Sequence, residues 1–95
     1  EGAETVADGL AARSVFQLPY TIMKDAITDV VLLDEQEILE GIRLALQVTH
    51  NLAEGAGAAS IAAALKIKDR LAGKRVALVM SGGNLDHAHL LQALG

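Results

Sequence analysis

Two short runs of consecutive apolar residues constrain the fold of this chain more than any other feature. They lie at residues 30–33 (VVLL) and at residues 75–80, where Arg75 precedes VALVM. An unbroken apolar run of this length is typical of a strand buried on both faces, as in a parallel sheet covered by helices. Because helical patterns separate and flank the two runs, the sequence predicts an α/β layered architecture. The predicted order is helix–strand–helix–helix–strand–helix.

The predicted helices are marked by residues that favour their ends. Pro19 suits the first turn of a helix over about 18–28, with Leu18, Ile22 and Ala26 on one face. Asp34 and Glu37 form a capping-box pattern that opens a second helix to about His50. Its predicted inward stripe consists of Ile38, Ile42, Ala45, Leu46 and Thr49, and its outward residues are Glu35, Glu40, Arg43 and Gln47.

Local sequence patterns also indicate the structure of the remaining segments. Residues 1–14 resemble a loop, and the small apolar residues from Glu54 to Ala72 predict a helix that is largely buried. Gly73 is expected to end that helix in the left-handed conformation. Asp86 lies near the start of a closing helix that runs to Leu94.

Two strands cannot make a stable sheet, so further strands are expected from other chain or from a second copy. Hydrophobic residues make up 52% of the 95 residues, yet only Phe16 and Tyr20 are aromatic. Small aliphatic side chains bury little area each, which makes an independent core thin. We therefore expect residues 1–95 to be part of a larger domain, and the chain by itself to associate or to be poorly stable.

Composition excludes several classes of function. The net charge of −4 argues against a nucleic-acid surface, and the absence of cysteine excludes a disulfide framework, a thiolate nucleophile and cysteine-bound metal. Apolar stretches of about ten residues are too short for a membrane span, and no signal-peptide pattern is present at the start. His87 and His89 are two residues apart near a helix start, which makes a poor metal pair, so no metal site is expected. A cytoplasmic location fits these features.

The most informative local feature is the turn Ser81-Gly82-Gly83-Asn84, which follows the second apolar run. In open parallel sheets, ligands bind at the carboxyl ends of the strands. Two glycines there let the backbone approach a flat or anionic ligand, and Ser81 offers a hydroxyl that donates and accepts hydrogen bonds. Taken alone, the same pattern fits a tight turn with no ligand.

Two further segments change that interpretation. Glu4-Thr5-Val6-Ala7-Asp8-Gly9-Leu10, Glu54-Gly55-Ala56-Gly57-Ala58-Ala59 and Ser81-Gly82-Gly83-Asn84-Leu85-Asp86 occur in this order. Together they resemble the last third of the catalytic domain of threonine/serine dehydratases, which are tryptophan-synthase-β-like (fold type II) pyridoxal-phosphate enzymes. The resemblance covers essentially the whole chain. It implies part of a three-layer parallel-sheet large domain.

The resemblance also implies roles for particular residues. Ser81 would hydrogen-bond the pyridine nitrogen of pyridoxal 5'-phosphate, and Gly82, Gly83 and Asn84 would line the same edge of the cofactor. Glu54 is either a carboxylate close to the cofactor ring or simply an acid favoured at a helix start. Gly9 would bring its backbone close to the ligand, while Asp8 would pin the loop. Gly55 departs from the proline more usual in the family, which would cost rigidity.

The parts of the family that perform the chemistry are not in this sequence. The family carries a Schiff-base lysine in an S-F-K-x-R-G-like segment and a glycine-rich loop for the cofactor phosphate. The only lysines here are Lys24, Lys66, Lys68 and Lys74, none with such neighbours. No catalytic residue is therefore assigned, and the chain is expected to be inactive alone.

Three functions remain open. The resemblance favours a threonine dehydratase, which converts L-threonine to 2-oxobutanoate and ammonia and is expected to be a homo-oligomer. A serine dehydratase or serine racemase-like enzyme is the first alternative. The second is a non-catalytic module that binds a partner, or another copy, through uncovered apolar faces.

Overall fold

The computed structural model describes residues 5–10 and 16–95. A short 3-10 helix is followed by five α-helices: Asp8–Leu10, then α1 (Gln17–Ala26), α2 (Glu35–Thr49), α3 (Gly55–Lys66), α4 (Lys68–Leu71) and α5 (His87–Leu94). Parts of the predicted 1–14 loop, residues 1–4 and 11–14, lie outside the described residues. The predicted helices near 18–28, 35–50 and 86–94 are confirmed to within two residues at each end.

The predicted helix ends are confirmed by their hydrogen bonds. The carboxylate of Asp34 accepts from the Glu37 backbone N–H at 2.8 Å, and the Glu37 carboxylate accepts from the Asp34 N–H at 2.8 Å. Asp86 caps α5 in a similar way by accepting from the His89 N–H at 2.8 Å. Gly73 has a φ of 77°, the left-handed conformation expected after a helix.

Replacing Asp34 with alanine is expected to lower the free energy of unfolding by about 1 kcal/mol, because the carboxylate that accepts from the Glu37 N–H is lost while the backbone half of the capping box remains. Urea unfolding followed by circular dichroism measures the change. Gln36→Ala is the matched control, since Gln36 is exposed in the same first turn and makes no capping bond. An Asp34→Ala protein as stable as the control would contradict the prediction.

The helix predicted over 54–72 is wrong in one respect, because it is divided at Ile67. Ile67 has φ −111° and ψ 24°, outside the helical values of its neighbours, and α4 begins at the next residue. β-Branched residues such as isoleucine have reduced helix propensity. In α4, the Arg70 guanidinium lies 3.1 Å from the Asp29 carboxylate. A hydrogen bond from the Val30 N–H, with the Arg70 side chain, holds the pKa of Asp29 below its ordinary value.

The core lies mainly between α2 and α3. Of the predicted inward stripe, Ile38, Ile42 and Ala45 are buried and Leu46 is half-buried. The placement of Thr49 was wrong: it is exposed, and its hydroxyl donates to the Ala45 carbonyl at 2.7 Å. The rest of the buried apolar set is made of small residues and one valine: Val6, Ala7, Ala53, Ala58, Ala62 and Ala93.

The two predicted strands, 30–33 and 75–80, are not confirmed, since neither segment forms a strand among the described residues. Both segments are hydrogen-bonded to side chains of α3. The Lys66 ammonium donates to the Leu32 carbonyl at 2.7 Å, and the Ser60 hydroxyl donates to the Val79 carbonyl at 2.9 Å. A strand exists only when its backbone pairs with a neighbour, and no described segment supplies that ladder.

The predicted apolar face of α1 is present but uncovered by the described part of the chain. Leu18 is 71% exposed and Ile22 is 61% exposed, and no residue of α1 is buried. Among the described helices, none combines the length and the apolar character that a membrane crossing requires.

Candidate functional site

The three sequence motifs meet at the N-terminus of α3. Glu54 is the N-cap residue of this helix, and its backbone N–H donates to the Gly82 carbonyl at 3.1 Å. On the other side, the backbone of Val6 and Ala7 lies against Gly55. The first turn of α3 is therefore held between residues 5–10 and the Ser81–Asn84 turn.

Close packing between Gly57 and Gly82 brings the turn onto the helix. A Cβ added to Gly57 would overlap the Gly82 carbonyl oxygen and lie 3.0 Å from its nitrogen. Contacts this short to backbone atoms cannot be relieved by a side-chain rotation. Only glycine at position 57 allows the turn and the helix to approach this closely.

Glu54 does more than occupy a helix start. Its side chain makes no capping hydrogen bond to α3. Its Oε1 lies where a Cβ of Gly82 would be, so the carboxylate packs against the glycine turn. The Glu54 side chain therefore contacts the glycine turn and does not cap α3.

The absence of proline at position 55 has a structural reason that sequence analysis missed. A Cβ at Gly55 would lie 2.6 Å from the Val6 carbonyl oxygen and 2.8 Å from the Ala7 Cα. The backbone of residues 6 and 7 therefore occupies the space that a side chain would need. Gly55 therefore allows the first motif to pack closely against the start of α3.

Gly9 lies next to the same helix turn. It is exposed in the short 3-10 helix that Asp8 begins, and a Cβ added to it would lie 3.0 Å from the Ala56 Cβ. The first residue of the motif, Glu4, lies outside the described residues. Gly9 thus lies beside the first turn of α3.

The polar groups of the glycine turn face outward. Ser81 and Asn84 are exposed, and within residues 5–10 and 16–95 neither side chain makes a hydrogen bond. Gly83 packs on the other side, where a Cβ would lie 2.5 Å from the Leu52 carbonyl oxygen. The turn thus presents a hydroxyl and an amide on a surface with little side-chain bulk.

Glu35 is a residue that sequence analysis placed only on the outer face of α2. Its carboxylate accepts a hydrogen bond from the Thr5 hydroxyl and another, at 2.8 Å, from the Val6 backbone N–H. The sequence signal for Glu35 is a second acidic residue in the first turn of α2 that the Asp34–Glu37 capping box does not use.

The two histidines of α5 lie in its first turn, near Asp86. His89 Nδ1 lies 3.4 Å from the Asp86 carboxylate, and His87 is exposed. Among the residues that the structure describes, no group of three potential metal-binding side chains is present.

With the three motifs gathered at one helix end, comparison with known proteins identifies the class. The chain belongs to the family of pyridoxal-phosphate dependent enzymes, whose model matches residues 1–82. It is 41% identical over 86 residues to the L-threonine ammonia-lyase of Thermotoga maritima and 43% identical over 84 residues to that of Geobacter sulfurreducens. It is 29% identical over 91 residues to the serine racemase of Schizosaccharomyces pombe.

These alignments cover most of this chain but a minor part of each relative. They include 90%, 86% and 93% of the chain, and 21%, 20% and 28% of the respective relatives. The family confirms the predicted α/β enzyme class at that level, while the sheet is not formed by the described residues. It also confirms pyridoxal phosphate as the cofactor of the complete enzyme.

The residues of the site suit that cofactor. A flat ring needs a surface with little side-chain bulk, and Gly82 and Gly83 supply backbone alone at the turn. The neutral Ser81 hydroxyl can donate to or accept from a ring nitrogen. The donor set of the turn therefore fits the group that the family binds.

Proposed function

We propose that this chain is the C-terminal part, residues 1–95, of the catalytic domain of a pyridoxal-phosphate dependent threonine dehydratase. The complete enzyme would convert L-threonine to 2-oxobutanoate and ammonia. The observation that carries the proposal is the meeting of the three motifs at the N-terminus of α3, through the Glu54–Gly82 and Gly55–Val6 contacts. Two relatives with 41% and 43% identity are L-threonine ammonia-lyases, which supports this substrate.

Each site residue has a proposed part in this activity. When bound, the cofactor supplies the electron sink for loss of the α-proton and the β-hydroxyl. Ser81 would hydrogen-bond the ring nitrogen without holding it protonated as an aspartate would, which suits elimination. Gly82, Gly83 and Asn84 would line the ring edge. Glu54 would hold the turn, and Gly9 would approach the ligand from the facing loop.

The two apolar segments have a proposed place in the complete domain. Residues 30–33 run toward the start of α3, since the preceding Asp29 contacts Arg70 beyond the end of α3 and Leu32 contacts Lys66 in its last turn. A cavity of about 640 Å³ opens beside this segment. Its lining is Leu10, Val31, Leu32, Leu33, Ile38, Ala59, Ser60 and Ala63.

Residues 76–80 run in the same direction along α3. The Ser60 hydroxyl donates to the Val79 carbonyl, and the Glu54 N–H, nearer the helix start, donates to the later Gly82 carbonyl. Two segments that run the same way along one helix are arranged as strands of a parallel sheet would be. We propose that further strands, from the rest of the domain, pair with them and complete the three-layer sheet.

Two alternatives follow from specific observations. A serine dehydratase or serine racemase-like activity is favoured by the 29% identity to a serine racemase. A non-catalytic binding or oligomerisation module is favoured by the exposed apolar face of α1. The cytoplasmic location and the homo-oligomeric state expected from sequence also stand as proposals.

Turnover by the complete protein separates these functions. Purified protein containing this chain is incubated with L-threonine and with L-serine, and 2-oxobutanoate, pyruvate and D-serine are measured. Formation of 2-oxobutanoate at the higher kcat/KM supports the proposal. Preferred pyruvate or D-serine formation supports the first alternative, and no product with any of these substrates supports the module. The 95-residue chain alone is expected to form no product, since no catalytic lysine is assigned within it.

Replacing Ser81 with alanine is expected to lower kcat for L-threonine by about 10- to 100-fold, the effect of removing one hydrogen bond to a reacting group. Steady-state kinetics and the cofactor absorbance spectrum report the change. Ser60→Ala is the matched control, because it also removes a hydroxyl, and among the described residues that hydroxyl bonds to the Val79 carbonyl alone. Unchanged kinetics and spectrum in Ser81→Ala would remove Ser81 from the proposed site.

A further inference from the structure

Glu35 joins two parts of the molecule that are far apart in sequence. It lies in the first turn of α2, and its carboxylate contacts Thr5 and Val6, about 30 residues earlier, through separate oxygens. Oε1 accepts from the Thr5 hydroxyl, and Oε2 accepts from the Val6 N–H. Thr5 Oγ1 in turn accepts from the Ala7 N–H at 3.1 Å.

These bonds hold the segment that reaches the site. Val6 and Ala7 are buried, and their backbone packs against Gly55 at the start of α3. Ala7 also accepts from the Leu10 N–H at 2.8 Å, which closes the 3-10 turn containing Gly9. The position of Gly9 beside Ala56 therefore depends on where residues 5–7 are fixed.

We propose that Glu35 is a positioning residue that fixes residues 5–10 against the N-terminus of α3 and so holds Gly9 at the site. Among the described residues, its side chain bonds to Thr5 and Val6 and to none of the residues assigned to the cofactor. Its effect on substrate rests on the proposed function, whereas its effect on residues 5–10 does not. Loss of the carboxylate would leave the loop to be ordered when substrate binds, at a cost in affinity.

Variants of Glu35 separate the hydrogen bonds from the charge. Alanine removes both bonds. Glutamine keeps one oxygen for the Val6 N–H and offers an amide that can donate to Thr5, so it is expected to retain most of the contact. Thr5→Val removes one of the two bonds to Glu35 together with the bond that Thr5 accepts from the Ala7 N–H, so it is expected to speed exchange at Ala7 as well. Glu40→Ala is the matched control, since Glu40 lies on the same helix, is exposed and pairs only with Arg43 at 3.4 Å.

The first measurement is amide hydrogen exchange on the complete protein. Glu35→Ala is expected to speed exchange at Val6, Ala7 and Leu10 by about 10-fold, with a smaller change in Glu35→Gln and none in Glu40→Ala. The second is steady-state kinetics with L-threonine. Glu35→Ala is expected to raise KM by about 10-fold with kcat changed much less, and Glu35→Gln is expected to recover most of the loss.

The outcomes are distinguishable. Wild-type exchange in Glu35→Ala would overturn the proposal. Faster exchange with an unchanged KM would also overturn it, because the contact would then be only structural. If the wild-type protein neither binds pyridoxal phosphate nor turns over an amino acid, the proposed function fails, and the exchange data alone decide whether Glu35 fixes residues 5–10.

Discussion

Replacing Gly57 with alanine is expected to lower kcat/KM for L-threonine by about 100-fold in the proposed complete enzyme, the effect of a displacement of about 1 Å at a reacting group. The new Cβ would overlap the Gly82 carbonyl oxygen. Because the obstacle is backbone, the Ser81–Asn84 turn has to move away from α3. Ser81 and Asn84 move with the turn, and the hydrogen bond from the Glu54 N–H to the Gly82 carbonyl is lengthened.

The effect on stability is expected to be smaller than the effect on activity. Overpacking costs about 1–3 kcal/mol, while alanine in a helix interior gains about 1 kcal/mol over glycine. Urea unfolding and threonine turnover, measured on the same preparation, separate the two effects. Wild-type turnover in Gly57→Ala would show that the close approach of the turn has no part in the site.

Gly73→Ala is the control for a glycine substitution without a clash. No atom outside its immediate chain neighbours lies within 4 Å of a Cβ at position 73, but its φ is 77°. Alanine there is expected to destabilise the protein by about 1 kcal/mol through backbone strain alone. Its turnover is expected to remain that of the wild type, since no atom of the three motifs lies within 4 Å of a Cβ at position 73.

Helices could be predicted from this sequence because their signals are local. The capping box of Asp34 and Glu37 and the cap at Asp86 lie within four residues of the groups they bond. The strands could not be confirmed, because a strand depends on a partner and residues 30–33 and 75–80 pair with nothing in the described residues. The same apolar runs instead remain largely exposed beside α3.

For the site as well, features within one motif could be predicted from the sequence, whereas contacts between distant segments could not. The motifs predicted that Gly9, Glu54 and the Ser81–Asn84 turn belong together, and the structure places them around one helix end. The reasons for Gly55 and Gly57 lie in backbone atoms of residues 6–7 and 82, far away in sequence. Periodicity within one helix carries no information about such contacts.

The exposed apolar surface has a direct consequence for the chain alone. Nine hydrophobic residues are buried and 18 large ones are exposed among those described, and the only large side chain that is fully buried is Ile42. The exposed set includes Leu18, Ile22 and Val30 at 61–71%. A surface of this kind on a small protein favours association, since burying apolar area is favourable and unpaired segments offer free backbone groups.

The 95-residue chain produced by itself is therefore expected to sediment as associated species, with little monomer of 9.9 kDa at micromolar concentration. Sedimentation velocity at several concentrations measures this. Leu18→Lys with Ile22→Lys is expected to shift the distribution toward monomer, because charge is placed on the apolar face of α1. Gln17→Lys with Thr21→Lys adds the same charge to the same helix without removing an apolar side chain, and is expected to shift it less. A wild-type chain that sediments as a single monomer and unfolds cooperatively would contradict the prediction, because the exposed face of α1 would then need no covering partner.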